Sequence, residues 1–331
     1  MSTSQAPTVD PPGGASAVNP IADLSYRHYD GPLRTRAVRW WIVALLAIRG
    51  TIRKWWFWLL FLLASSSYGF WGLMLFLESR FGSDFRRMMF QTSQQDRFAT
   101  SFFQAYDGSL FWLMVIGLVV GAPSIAGDNR AHALQVYLAK PITKTDYLLG
   151  KWAGVFALVF ISAFLPALLL YCYCILAFWS EGIVRHEPWL IFRIVAASGA
   201  TAAGLASLFV GISAWCRSTM VSAAISAGIY IATSAIAGIL WGVLFFRAIQ
   251  NGSMPLGSVI QHASISGVIK GVAWNIYGVA LSIPNMGQGP MSGVTLRAPN
   301  GWIMGTALGV LIAVGLLAAR LRIRAVEVVT G

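Results

Sequence analysis

Charge is scarce in this chain: Asp, Glu, Lys and Arg make up 11% of its 331 residues, and acids number twelve against twenty-four bases. With 57% hydrophobic residues and a mean hydropathy of +0.66, there is too little polar material to cover a soluble globule of this size. Cysteine is nearly absent. Cys172, Cys174 and Cys216 lie in or at the ends of apolar runs, which argues against a disulfide framework or a metal site. The phosphate-cradling pattern G-x-x-x-x-G-K-[ST] is missing. Gly150-Lys151 lacks both the earlier glycine and the following hydroxyl, because Trp152 stands there. No H-E-x-x-H occurs, and the apolar runs hold no carboxylate for an acid protease or a proton relay. The histidines His28, His132, His186 and His262 are scattered and read as solvated or interfacial side chains.

What is present is a series of long apolar runs. Six are long enough to cross a bilayer, at about 55–77, 109–126, 152–178, 189–215, 220–246 and 302–319. The expected fold is therefore an all-α integral membrane protein with six transmembrane helices in a domain spanning 55–319. Residues 1–23, rich in Pro, Ser, Ala and Gly, read as a disordered tail, without the basic start or apolar core of a signal peptide. In 24–54 a helix from about residue 34 places Arg36, Arg39, Arg49, Arg53 and Lys54 within an arc of roughly 140° at ~100° per residue. Trp40, Trp41, Ala44, Leu45, Ala47, Ile48 and Ile52 take the other side, as in an amphipathic interfacial elbow helix lying among lipid headgroups. A net charge of +12 does not imply nucleic acid here, since most bases flank apolar runs. Membrane lipid and the positive-inside rule explain them.

Six spans put both termini on one side. With that side cytoplasmic, fifteen of the twenty-four bases lie inside, including the 320–331 tail. Residues 78–107 read as a polar outer loop. The segment 256–283 is apolar but interrupted by Gln261, His262, Lys270 and Asn275, and it fits an outer re-entrant segment better than a seventh span. Stripes of small residues, Gly301/Gly305/Gly309/Ala313 and Gly199/Ala203/Ser207/Gly211, are expected to let helices approach closely. Ser65, Ser66 and Ser67 either face a pathway or bond back to their own helix.

The polar stretch 128–151 interrupts the apolar runs as a compact knob. A short helix ends at Pro141, the residues around 143–146 turn, and a new helix begins with Tyr147 and carries Lys151 and Trp152. The order Asp128, Leu134, Lys140-Pro141-Ile142-Thr143-Lys144 and Gly150-Lys151 resembles the first cytoplasmic loop of the ABC-2 class of ATP-driven permeases. His132-Ala133 stands where that class has Gly-Thr, and Lys144 where arginine is usual. The alternative reading is an ordinary basic inter-helix loop.

The resemblance implies a permease subunit, an exporter by family habit, with no cofactor of its own. ATP and Mg would be bound by a separate cytosolic ABC ATPase, and a second permease subunit, as homodimer or heterodimer, would complete the route. It also implies the cell membrane, bacterial inner or plasma, with both termini cytoplasmic. Asp128, Arg130, Lys140, Pro141, Lys144, Gly150 and Lys151 are the expected coupling residues, and Gly117, Gly121 and Pro123 the expected gating residues that soften the second span. A second reading is a membrane anchor for an ATPase that signals or does mechanical work without transport. A lipid enzyme is disfavoured because no His and Asp are paired.

Overall fold

Side-chain caps open three of the described helices of this chain, and a neutralised pair of charges extends two others. The computed structural model describes residues 39–82, 97–131, 143–179, 187–250, 264–279, 281–282, 295–296 and 298–323. Among them are eight α-helices: α1 Arg39–Ile52, α2 Trp55–Phe81, α3 Arg97–Arg130, α4 Lys144–Ala177, α5 Leu190–Trp215, α6 Thr219–Gln250, α7 Ile265–Tyr277 and α8 Gly301–Arg322. A two-residue antiparallel ladder pairs Leu281 with Leu296 and Ser282 with Thr295. Six helices, α2 to α6 and α8, are long and apolar enough to cross a membrane. The fold is the expected all-helical six-span one.

Successive spans run in opposite directions, so one end of the bundle collects Arg130, Lys144, Lys151, Arg217, Arg320 and Arg322 and is here called the basic end. The most deeply buried span is α5, which packs on α3, α4, α6, α7 and α8. The faces of α2, α6 and α8 are turned largely outward. With 34 residues each, α3 and α4 reach ~50 Å, well beyond the ~30 Å of a hydrocarbon core, so their ends project from it.

The structure corrects the reading of 78–107 as a loop. Residues 78–81 continue α2, and 97–107 are the first turns of α3. Glu78 and Arg97 are both buried and paired at 2.7 Å, and the guanidinium sits 4.4 Å from the Phe98 ring and 5.2 Å from the Phe178 ring. Each charge removes the cost of burying the other, so helices persist where single-residue polarity predicts a break. Asp107 likewise lies inside α3, two residues before the apolar run at 109–126, and meets Lys270 Nζ of α7 at 2.7 Å.

With thirteen residues and ~20 Å, α7 is too short to span. Its N-cap is Ser264, whose hydroxyl accepts from the Gly267 amide at 2.9 Å, and it closes at Gly278 in the left-handed region, φ 65°. Trp274 and Tyr277 pack with Phe103 and Tyr106 of α3. Of the expected re-entrant segment, 256–263 lie outside the described residues. So do 1–38, which hold the tail and the start of the expected elbow.

Small residues set the closest helix crossing, though not all of those expected. A Cβ on Gly211 of α5 would stand 2.8 Å from the Gly315 carbonyl oxygen, and one on Gly315 would collide with the Ser207 carbonyl. Gly305 and Gly309, in the anticipated stripe on α8, have no neighbour within 4 Å. The contact uses another face of that helix, on which Leu308 meets Gly204 and Gly315 meets Ser207 and Gly211 of α5. Gly315→Val is expected to cost at least about 1–3 kcal/mol, since backbone cannot retreat as a side chain does. Gly309→Val should be near neutral, and thermal unfolding of the two variants in detergent checks the contrast.

Candidate functional site

At the basic end, α3 delivers residues 128–131 and α4 departs from 143–144, enclosing the segment 132–142, which lies outside the described residues together with Lys140 and Pro141. The start of α4 is built by a capping box. Thr143 Oγ1 accepts from the Asp146 amide at 3.1 Å, and the Thr143 amide donates to Asp146 Oδ2 at 3.3 Å. The helix therefore starts at Lys144, a full turn before the expected restart at Tyr147; the T-x-x-D spacing was the available signal. Lys144 is exposed in that first turn. A cation there opposes the helix dipole, so the residue is not placed to stabilise its own helix.

Inside these stems Asp128 is the centre of a clasp. Its Oδ2 accepts from the Tyr147 hydroxyl at 2.6 Å and pairs with Lys151 Nζ at 2.8 Å. Tyr147 and Lys151, four residues apart, stand on one face of α4, with the ammonium 5.6 Å from the phenol ring. Tyr147 is fully buried, and the charged side chains retain only 19% (Asp128) and 13% (Lys151) of their exposure. Desolvation at that level makes each member depend on the others. Of the expected coupling residues, the structure thus joins Asp128 to Lys151, while Arg130 and Lys144 sit on the exposed surface.

Gly150 is buried and has a packing task. A Cβ there would stand 2.6 Å from both the Trp40 carbonyl oxygen and Val43 Cβ of α1, and one on Gly154 would stand 3.0 Å from Ala47 Cβ. The elbow helix α1 is therefore seated on α4 through Trp40, Val43, Ala44 and Ala47. Its buried stripe is narrower than the expected apolar face, and Trp41 is exposed.

The expected gating residues also meet specific partners. Cβ atoms on Gly117 and Gly121 would stand 2.8 and 2.6 Å from the Phe209 side chain of α5, so both glycines make room for that ring. Pro123 lies inside α3 and has no N–H to offer the Val119 carbonyl. One turn on, Ser213 of α5 inserts its hydroxyl into the ladder. Its Oγ donates to the Ala122 carbonyl at 2.7 Å and accepts from the Ile125 and Ala126 amides at 3.1 and 2.9 Å. All three bonding positions of the hydroxyl are used. Asn129 Nδ2 then donates to the Cys216 carbonyl at 3.2 Å, and Trp152 Nε1 donates to Ser207 Oγ at 2.9 Å. Beyond the proline, α3 is fastened to α5, and α4 joins it.

Sequence reasoning missed Tyr147, Ser213 and Asn129 as members of this end. Tyr147 had a signal in its spacing from Lys151. For Ser213 and Asn129 nothing local distinguishes them from other helix polar residues. Ser65 and Ser66 bond to the Phe61 and Leu63 carbonyls at 2.7 Å, and Ser67 packs against Gly108. Among the described residues, no three His, Cys, Asp or Glu side chains gather as a metal site requires.

Comparison with known families finds that the model described as "ABC-2 family transporter protein" matches residues 41–263, from the elbow helix to the residues just before α7. No curated protein matches the chain.

Three substitutions probe the geometry. Asp128→Asn and Lys151→Met should each cost about 2–4 kcal/mol, because each leaves a mostly buried polar partner. The double variant should cost less than the two added, as thermal unfolding of all three measures. Ser213→Ala should cost about 1–3 kcal/mol and speed amide exchange at residues 125 and 126.

Proposed function

The chain belongs to the ABC-2 transporter family and is a permease subunit of an ABC transporter; on that premise we propose that it is an exporter, driven by a separate ATP-binding subunit that docks on the loop between α3 and α4. The observation that carries this reading is the Asp128 clasp, which holds both stems of that loop together at the projecting ends of the two longest spans. A force on the loop then reaches two membrane helices at once.

The docking contacts are assigned to Lys140, Pro141 and Lys144, with Arg130 at the edge. Exposed Lys144 and Arg130 support this, since neither is consumed in the clasp. Asp128, Gly150 and Lys151 act one step further in, as the base that transmits the push. Closure of a pair of ATPases, each holding ATP and Mg, presses the loop inward. The end of α3 beyond Pro123 moves with α5 through Ser213 and Asn129, and with α4 and α1 through the clasp and Gly150. Gating is placed at Pro123, where the ladder lacks one bond, with Gly117 and Gly121 sliding on Phe209 as the span tilts. A second permease subunit completes the route, both termini face the cytoplasm, and the membrane is the cell membrane.

The test is affinity purification of the tagged chain in mild detergent, with mass spectrometry of its companions and an ATPase assay. The wild type should recover a P-loop ATPase with activity. Lys140→Glu with Lys144→Glu should cut both recovery and substrate-stimulated hydrolysis at least tenfold while leaving thermal stability unchanged. Full recovery and full activity in that double variant would remove the loop from the coupling path.

A further inference from the structure

At the basic end α5, α6 and α8 part around an apolar slot of about 370 Å³, room for roughly twelve groups of ~30 Å³ each. Leu208 and Ile212 of α5, Ile225 of α6, and Leu311 and Val314 of α8 line it, over the crossing of Gly211 with Gly315. Its lining is almost wholly carbon. From Leu208 to Trp215 it extends seven residues along α5, ~10 Å toward the middle of the membrane.

The rim has a different chemistry. Trp215 stands at the last turn of α5 and is 56% exposed, with its Nε1 donating to the Ala318 carbonyl at 3.1 Å. The Arg322 guanidinium lies 5.5 Å from its ring, on the face of α8 that lines the slot, and exposed Arg217 is in the three-residue link 216–218 beside it. Arginines near a helix C-terminus serve the dipole, but that accounts neither for the tryptophan stack nor for the slot beneath it. An apolar slot below a cationic, aromatic rim matches an amphiphile with one negative headgroup. Zwitterionic lipid satisfies the slot alone, and basic residues at a membrane surface favour anionic lipid.

We propose that this slot binds an acyl chain of an anionic phospholipid whose phosphate rests on Arg217 and Arg322. Such a lipid braces Trp215 and Cys216, the point where Asn129 ties α3 to α5, so it sets the position of the transmitting end from the membrane side. The binding claim is independent of the ATPase.

The experiment is native mass spectrometry of the delipidated full chain, titrated separately with phosphatidylglycerol and phosphatidylcholine of identical acyl chains. Wild type should bind a first phosphatidylglycerol at least tenfold more tightly than phosphatidylcholine. Arg217→Gln with Arg322→Gln should abolish that preference, at roughly fivefold per arginine. Ile225→Phe, which fills the slot and leaves the rim intact, should weaken both lipids by a similar factor. Equal binding of the two lipids to wild type, or a preference that survives the arginine variant, overturns the proposal. So does an Ile225→Phe chain that keeps its lipid but loses a dimer, which would give the slot to a second copy.

Discussion

A single carboxylate, Asp128, holds the working end of this molecule together. It sits where α3 and α4 leave the hydrocarbon, and its charge is balanced by Lys151 and a buried tyrosine hydroxyl from the facing helix. A mostly buried charge of this kind is kept only if its partners stay in place, so the pair fixes the spacing of the two stems. Around the clasp the other contacts fall into register: Gly150 admits α1, Trp152 reaches Ser207, and Asn129 reaches the end of α5.

The rest of the bundle hangs on α5. In lipid, apolar surface gains little by leaving the solvent for another helix, and close contact and hydrogen bonds decide packing instead. Both appear on this helix. Gly211 meets Gly315, Phe209 fills the space left by Gly117 and Gly121, and Ser213 bonds the α3 backbone at Ala122, Ile125 and Ala126, just past Pro123. Tyr106 to Thr201 at 2.5 Å and Asp107 to Lys270 perform the same service toward the far end, where α7 is packed in.

Much of this architecture was legible beforehand, because spans announce themselves by length and lack of charge, and Asp128 and Gly150-Lys151 stood in a recognisable order. What a linear pattern does not carry is pairing. Glu78 and Arg97 look like loop residues one at a time and become helix residues only when each neutralises the other. Gly150 looked like part of a docking surface, but a glycine's role depends on what approaches it, here the Trp40 carbonyl. For the same reason Gly315 was overlooked in favour of Gly305 and Gly309, since periodicity locates a stripe but not the helix facing it. The Thr143 and Asp146 cap, by contrast, was written in the local sequence and was passed over.

The account stands most directly on the claim that the stems of the loop move as one body with the end of α3. Spin labels at Arg130 and Lys144, both exposed, report that distance by pulsed electron paramagnetic resonance in the assembled transporter, with and without ATP held unhydrolysed. The prediction is an unchanged distance between those two labels, while the distance from either to a label at Ile303 on the far end of α8 shifts by several ångströms, the order of one helical turn. A change between the two stems themselves, with the rest of the bundle still, would contradict it.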